Sequence, residues 1–390
     1  MEVKEGYKQT EVGAIPEDWR PHKIADHVKF QGGSQPTKNT FVSSQRPGYI
    51  RLIQIRDYKT DKYETYIPAH LANRFCDEND IMIGRYGPPI FQILRGIKGA
   101  YNVALIKAIP TEDVDKNYAY YYLKQDKLFI FIEKLSQRSS GQTGVDLNEL
   151  KEYPFPLPPT LAEQTAIATV LSDTDALIQS LDRLIAKKRL IKQGATQDLL
   201  TGKKRLPGFS GEWEQKNVGE MAEVGRGRVI SHKEISTAIE ARYPVYSSQT
   251  SNNGVMGYID TYDFEGEYVT WTTDGVNAGK VFYRSGRFNC TNVCGAIKLK
   301  VDNPQFIARL LDTVTSRYVS RNLANPKLMN APMKQITVFV PPLEEQTAIA
   351  AILSDMDAEI EALEEKRDKY KAIKQGMMQV LLTGKVRLIS

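Results

Sequence analysis

Reactive side chains are plentiful in these 390 residues, but few stand at spacings that do chemistry. Asp274-Gly-Val-Asn-Ala-Gly-Lys280 resembles a phosphate-binding loop, where backbone amides cradle phosphates and a lysine reaches the terminal ones. It is one residue short between its glycines, and Val281 stands where serine or threonine would hold magnesium, so it reads as a turn. Tyr86-Gly-Pro-Pro-Ile90 has the paired prolines of an amino-methyltransferase motif. It lacks the preceding amide or acid and the following aromatic, and no glycine-rich cofactor loop comes before it. Glu149-Leu-Lys151 has no upstream acidic partner on a hairpin and makes no nuclease centre. His22, His27, His70 and His232 do not cluster, and no Ser-His-Asp order stands out. Cys76, Cys290 and Cys294 form neither a disulfide framework nor the two pairs a zinc site needs, and are expected to be reduced thiols in a cytoplasmic protein. The expectation is a chain that binds rather than catalyses, holding no metal and no cofactor of its own.

Composition agrees with that class. With 41% hydrophobic and 25% charged residues the chain reads as soluble and globular, and its length fits two to three domains. No apolar run approaches the roughly 20 residues of a membrane span, and Met1-Glu-Val-Lys-Glu-Gly6 lacks the apolar core of a signal peptide. The net charge of +5 permits nucleic-acid binding without demanding it. Residues 1–156, 157–205 and 206–340 lean basic, whereas 341–390 are acidic.

The elements that must position any binding residues announce themselves as a repeat. Glu163–Lys203 and Glu345–Lys385 align at an offset of 182 without a gap, with 24 of 41 positions identical. EQTAIA, LSD, IKQG and LLTGK recur whole, and the match extends upstream from Phe155-Pro-Leu-Pro-Pro159 onto Val338-Phe-Val-Pro-Pro342 with one residue inserted. This is an internal duplication. Each copy has a helical seam at alternating steps of three and four, the signature of helix-on-helix packing. One seam is Ile167, Leu171, Thr174, Ile178, Leu181, Ile185, Ile191, Ala195 and Leu199. The other is Ile349, Leu353, Met356, Ile360, Leu363, Tyr370, Ile373, Met377 and Leu381. Thr160-x-x-Glu163 predicts a capping box, and Gly202 and Gly384 suit C-terminal caps. At 1.5 Å per residue each helix is a rod of roughly 55 Å. Lys187, Lys188 and Arg189 on one copy and Glu359, Glu361, Glu364 and Glu365 on the other favour pairing of the two.

Residues 1–156 and 206–340 are the modules between these spacers, 157–205 and 341–390. Each opens on a tryptophan, Ile15-Pro-Glu-Asp-Trp19 and Phe209-Ser-Gly-Glu-Trp213, and then diverges. Period-two runs predict strands at Gly48–Asp57 and Ala100–Lys107, and at Tyr268–Gly275, Lys280–Tyr283 and Gly295–Lys300. Helices are expected over Asn117–Leu135 and Asn303–Ser320. The fold expected is α+β: two globular domains alternating with two long helices that pack antiparallel as a coiled coil, with pseudo-twofold symmetry.

The order module, Pro-Pro-x(1–2)-Leu-x-Glu-Gln-x-x-Ile helix ending in Leu-Leu-Thr-Gly-Lys, module, same helix again, resembles the DNA-specificity subunit of type I restriction–modification enzymes. The resemblance covers the whole chain and is most specific over Pro158–Lys203 and Pro341–Lys385, which look like the family's conserved regions. It implies two target-recognition domains, each reading one half of a split, asymmetric site in double-stranded DNA. It implies helices that set the gap and dock two methyltransferase subunits, which bind S-adenosylmethionine and methylate adenine. Two restriction/translocase subunits, using ATP and magnesium, complete the enzyme, and no membrane is involved. The residues themselves leave two alternatives: a coiled-coil scaffold with protein-binding modules, or a self-sufficient DNA methyltransferase or nuclease.

Base-edge chemistry narrows the candidate readers, since Arg or Lys suits guanine, Asn or Gln suits adenine, and Lys, Ser and Thr suit phosphates. In the first module these are Gln31, Lys38, Arg51, Gln54, Arg56, Arg85, Tyr86, Arg138 and Gln142. In the second they are Arg226, Arg228, Ser248, Gln249, Asn252, Asn253, Thr273, Lys280, Arg321, Asn322 and Lys327. Half-sites on one face of B-DNA lie about one turn, roughly 34 Å, apart, a span these rods can bridge.

Overall fold

The computed structural model describes residues 5–11, 13–138, 144–320 and 325–388. Two compact units emerge, residues 1–182 with 365–390, and residues 183–364. Each holds one module, the first part of one repeat helix and the last part of the other.

The repeat copies are the helices Leu161–Leu200 and Leu343–Leu381. Each starts after a pair of prolines, which cannot donate a backbone hydrogen bond. Each ends at a left-handed glycine, Gly202 at φ 69° and Gly384 at φ 67°. The predicted capping box forms only in part. Thr160 Oγ1 accepts the Glu163 N–H at 3.2 Å, but the Glu163 carboxylate turns away to Arg387, a stronger partner than a neutral backbone amide.

Within the first unit the helix segments run antiparallel, with Glu163 bound to Arg387, Asp175 to Lys374 and Asp182 to Arg367. The second unit repeats this pattern, pairing Glu345 with Arg205 and Asp357 with Lys192. The first two pairs of each unit are the same contacts displaced by 182 residues. The seams are buried at Ile167, Leu171, Ile178, Leu181 and Ile185 and at Ile349, Leu353 and Ile360, and half-buried at Met356 and Leu363. Two expected seam positions fail: Ile191 and Ile373 are 47% and 41% exposed. The next residues, Lys192 and Lys374, turn inward instead, each drawn to an aspartate of the facing segment.

Both modules have one topology despite their divergence. In the first, a four-stranded sheet orders Val28–Gly32, Leu105–Pro110, Ile81–Gly84 and Ile93–Leu94, and a second orders Tyr66–Pro68, Tyr49–Ile53, Gly99–Tyr101 and Phe75–Cys76. The counterparts are Ala222–Arg226, Cys294–Leu299, Tyr268–Thr272 and Val281–Arg284, and Val255–Ile259, Tyr243–Tyr246, Arg287–Cys290 and Phe264–Glu265. In both modules the second sheet has a parallel pair at its centre. A two-strand ribbon, Arg20–Lys23 with Pro154–Leu157 or Glu214–Asn217 with Thr337–Val340, brings each module's ends together.

Side-chain competition moves several predicted boundaries. The run Ala100–Lys107 splits between two sheets, because Asn102 Oδ1 accepts the Ala104 N–H at 3.1 Å and turns the chain. The strand expected to reach Asp57 stops at Ile53, where Asp57 caps the Gln54 N–H at 3.1 Å and starts a 3-10 turn. The helix expected over Asn117–Leu135 is two, Lys116–Leu123 and Asp126–Arg138, and the one expected to reach Ser320 ends at Val314. The core of the first unit joins Trp19, Tyr118, Tyr121 and Phe155 to Ile167, Leu171 and Leu381. That of the second joins Trp271, Phe306 and Val338 to Ile349, Leu353 and Leu200. The helix ends are therefore part of each module's own core.

Candidate nucleic-acid interface

Polar loops that close on one another are the surfaces most able to meet a ligand. In the second module, three loops do so. Asn277 Nδ2 donates to the Ser248 carbonyl at 3.4 Å, joining the 247–254 loop to the 273–280 loop. The Gly275 N–H donates to Pro326 and the Leu328 N–H to Thr273, joining 273–280 to 325–328. The strand end at Arg226–Arg228 adds a fourth contributor, with Gly227 N–H on Cys294 and Thr273 N–H on Val293. Ser248, Gln249, Asn252, Asn253, Thr273, Lys280, Arg226, Arg228 and Lys327 thus come together although they span a hundred residues of sequence.

Their states differ. Arg228 is tied to Glu234 at 2.6 Å and Asp263 at 3.0 Å, and the Glu234 hydrogen bond holds its guanidinium above its ordinary value. Lys280 pairs with Asp312 at 2.7 Å and Lys327 with Asp274 at 3.4 Å. Thr273 is buried, its hydroxyl on Asp274 at 2.8 Å. Arg226 is exposed, with one amino group 3.9 Å from Met329 Sδ. Asn252 and Asn253 are exposed and left-handed, at φ 48° and 50°, conformations that L residues adopt rarely. A buried cation binds the second of them. Arg284 lies 3.7 Å over the Tyr246 ring and donates to the Asn253 carbonyl at 2.7 Å, and burial lowers its guanidinium pKa. Gln249 donates to the Val255 carbonyl across the same loop.

In the first module, Lys38, Gln54 and Arg56 line one open cleft with Ser43, Lys62 and Tyr63. Tyr63 is 53% exposed and flanked by Arg56 at 5.8 Å and Lys62 at 5.5 Å, an aromatic face between two cations. Gln54 and Arg56 both reach Thr65 Oγ1, at 3.0 and 3.2 Å. Arg51 is committed inward, to Asp61 at 2.9 Å and Glu64 at 2.8 Å, with Asp57 at 3.9 Å. Burial works against its charge, but these carboxylates prevail and raise it. Gln31 accepts from the Tyr101 hydroxyl at 2.9 Å. Arg85 packs 5.3 Å over Tyr86. Arg138 closes its helix, but its side chain, like Gln142, Arg321 and Asn322 altogether, lies outside the described residues. Sequence reasoning missed Lys62, Tyr63 and Arg284. The Asp-Lys-Tyr turn held a signal for the first two, whereas Arg284 lies in a strand with none.

The helix starts are built alike. Gln164 accepts the Asp115 N–H at 2.7 Å and donates to Asp113 and Pro158 carbonyls; Gln346 accepts the Asn303 N–H at 2.9 Å and donates to Asp302 and the Pro341 carbonyl. Glu163 and Glu345, nearly inaccessible, each take a two-pronged arginine, Arg387 and Arg205. The recurrent Glu-Gln pair therefore fastens each helix to its module and to the tail of the other copy. Among the described residues no group of three or more His, Cys, Asp or Glu is arranged to hold a metal ion, and no helix is long and apolar enough to cross a membrane.

A family model described as "Type I restriction modification DNA specificity domain" matches residues 16–187 and again 210–372, once over each module. The chain is 41% identical over 160 residues to "Putative type I specificity subunit S.MpnORF507P" of Mycoplasma pneumoniae, a match covering 40% of this chain and 44% of that relative. This chain thus spans less than half the length of that relative. Over 429 aligned positions it is 26% identical to "Type I restriction enzyme MjaVIII specificity subunit" of Methanocaldococcus jannaschii, covering 99% of this chain and 97% of the relative. The fold is that of a crystal structure of a type I restriction–modification system S subunit from M. genitalium, with a TM-score of 0.63 and 17% identity over 98% of both chains. With both modules matched, and more than half of its length covered, the chain belongs to the type I restriction modification DNA specificity domain family.

Proposed function

We propose that this chain is the DNA-recognition subunit of a type I restriction–modification complex. Each module reads one half of a bipartite, asymmetric target in double-stranded DNA. The repeat helices set the gap between halves and dock two methyltransferase subunits, and two restriction/translocase subunits join them. The chain supplies recognition and no catalysis; S-adenosylmethionine belongs to the methyltransferase, and ATP with magnesium to the translocase, in the cytoplasm. The carrying observation is the double family match, one specificity domain on each of two modules that share a topology and differ in their loops. Two identical readers would suit a palindrome; different loops on one scaffold suit unlike half-sites. The test is a map of methylated adenines in the host genome with and without this chain. One bipartite, asymmetric motif should lose its methylation when the chain is absent, and an unchanged map would overturn the proposal.

A further inference from the structure

Three consecutive residues of the 247–254 loop are left-handed: Asn252 at φ 48° and ψ 43°, Asn253 at φ 50° and ψ 30°, and Gly254 at φ 82°. Only the glycine takes that conformation freely; the two asparagines bear a steric penalty. The chain closes tightly around them. Ser247 N–H donates to the Gly254 carbonyl at 3.0 Å, Gln249 Nε2 to the Val255 carbonyl, and Asn277 Nδ2 to the Ser248 carbonyl at 3.4 Å. Gly254 is buried, while Asn252 and Asn253 stay exposed.

Arg284 packs against this turn. It is 4% exposed and has no carboxylate partner among the described residues. One amino nitrogen donates to the Asn253 carbonyl at 2.7 Å, and a Cβ on Gly254 would come within 3.0 Å of that same nitrogen. The guanidinium lies 3.7 Å from the centre of the Tyr246 ring and 4.5 Å from that of Phe282. Its Nε, like the buried hydroxyls of Thr270 and Thr272 on the neighbouring strand, has no hydrogen-bond partner among the described residues. A buried charge without a counter-charge works against stability, so the fold alone gives no reason for an arginine here.

The first module is built otherwise. Asn102 N–H donates to Ile53 and Leu105 N–H to Asn102, as Thr291 N–H does to Tyr246 and Cys294 N–H to Thr291. Tyr101 and Leu105 therefore stand where the second module has Cys290 and Cys294. Ile53, Met82, Tyr101 and Leu105 form an apolar cluster there, and the nearby Lys107 is paired with Asp80. The unpaired cation belongs to the second module's loops and is no part of the shared scaffold.

We infer that Arg284 is a positioning residue for recognition of the second half-site: it fixes the left-handed turn that presents Asn252 and Asn253 to base edges. An asparagine amide suits adenine there. The inference rests on the function proposed above. Backbone strain and a buried charge both lower stability, and their meeting in one loop is the mark of a conformation set by function.

The test uses the full chain with its adenine methyltransferase, on duplexes of the bipartite target and on duplexes altered at single base pairs of either half. Preference is the ratio of methylation rates on the target and on an altered duplex. Arg284→Met, which fills similar space without charge, should lower preference in the second half about tenfold and leave the first half unchanged. Its melting temperature should not fall. In a chain already carrying Asn252→Ala and Asn253→Ala, adding Arg284→Met should lower second-half preference no further, because Arg284 acts through that turn. Unchanged second-half preference in Arg284→Met overturns the inference, as does a further loss in the triple variant. A loss in both halves with a lowered melting temperature also overturns it, making Arg284 a structural residue only. If the unaltered chain and methyltransferase show no preference for any bipartite duplex, the functional reading itself fails, and the inference with it.

Discussion

At the scale of single residues, charged groups fall into two kinds: some hold the molecule together through ion pairs and others stay exposed at its surface. Asp80 belongs to the first kind. Burial would raise its carboxyl, but Lys107, Lys116 at 2.6 Å and the Asp77 N–H at 2.9 Å outweigh that and hold it at about 2. A carboxyl depressed in the folded state contributes stability that is present above its unfolded value, about 3.9, and is lost as pH falls through the folded value. Unfolding free energy should therefore drop by about 2 kcal/mol for this group between roughly pH 4 and pH 2. In Asp80→Asn, denaturant titrations across that window should show a shallower pH slope. Glu163 makes the same point between elements. Arg387→Ala strands a nearly inaccessible carboxylate and should cost about 2–3 kcal/mol, discounted because the arginine is itself 30% exposed. Thermal melts of Arg387→Ala, Glu163→Gln and the double variant would separate pairing from stranding, and a negligible loss in Arg387→Ala would contradict this account.

At the scale of elements, the long helices are stabilised where they enter the module cores and at their glycine ends. Leu171 is fully buried among module side chains and the end of the other repeat copy. Leu171→Ala should destabilise by about 2–5 kcal/mol, as should Leu353→Ala, its counterpart at the 182-residue offset; Ile191→Ala, on an exposed position, should stay within about 0.5 kcal/mol. Denaturation midpoints rank the three. The terminal glycines are not equal. A Cβ on Gly384 would come within 2.4 Å of Pro16 Cδ, whereas one on Gly202 meets the Trp213 ring at 3.3 Å. Both substitutions to alanine bear the left-handed backbone penalty of about 1 kcal/mol, and Gly384→Ala adds a clash, so its melting temperature should fall further.

At the scale of the whole molecule, two modules with one topology and different loops make recognition separable. Exchange of residues 206–340 for the corresponding module of a relative should change one half of the methylated motif and leave the other half and the gap as they were. Sequencing that detects methyladenine reads both halves at once. A change in both halves would contradict independent reading. Within the second module, Asn253→Ala should alter discrimination in its own half only.

Much of this was legible in the residues, and the reason is physical. A period of three and four residues, repeated at an offset of 182, determined the long helices and their partnership, because most of a seam's burial follows from its spacing. The same spacing misplaced Ile191 and Ile373, since rotation of a helix by one residue toward an ion pair is settled by the aspartate opposite, far away in sequence. Strand order, the shared topology of divergent modules and the grouping of loops 247–254, 273–280 and 325–328 came only from tertiary contacts. So did the commitments of Arg51, Arg228 and Lys280 to carboxylates, which are indistinguishable in a sequence from cations left free. Residue type determines what chemistry a side chain can offer; only the fold decides whether that chemistry is already satisfied.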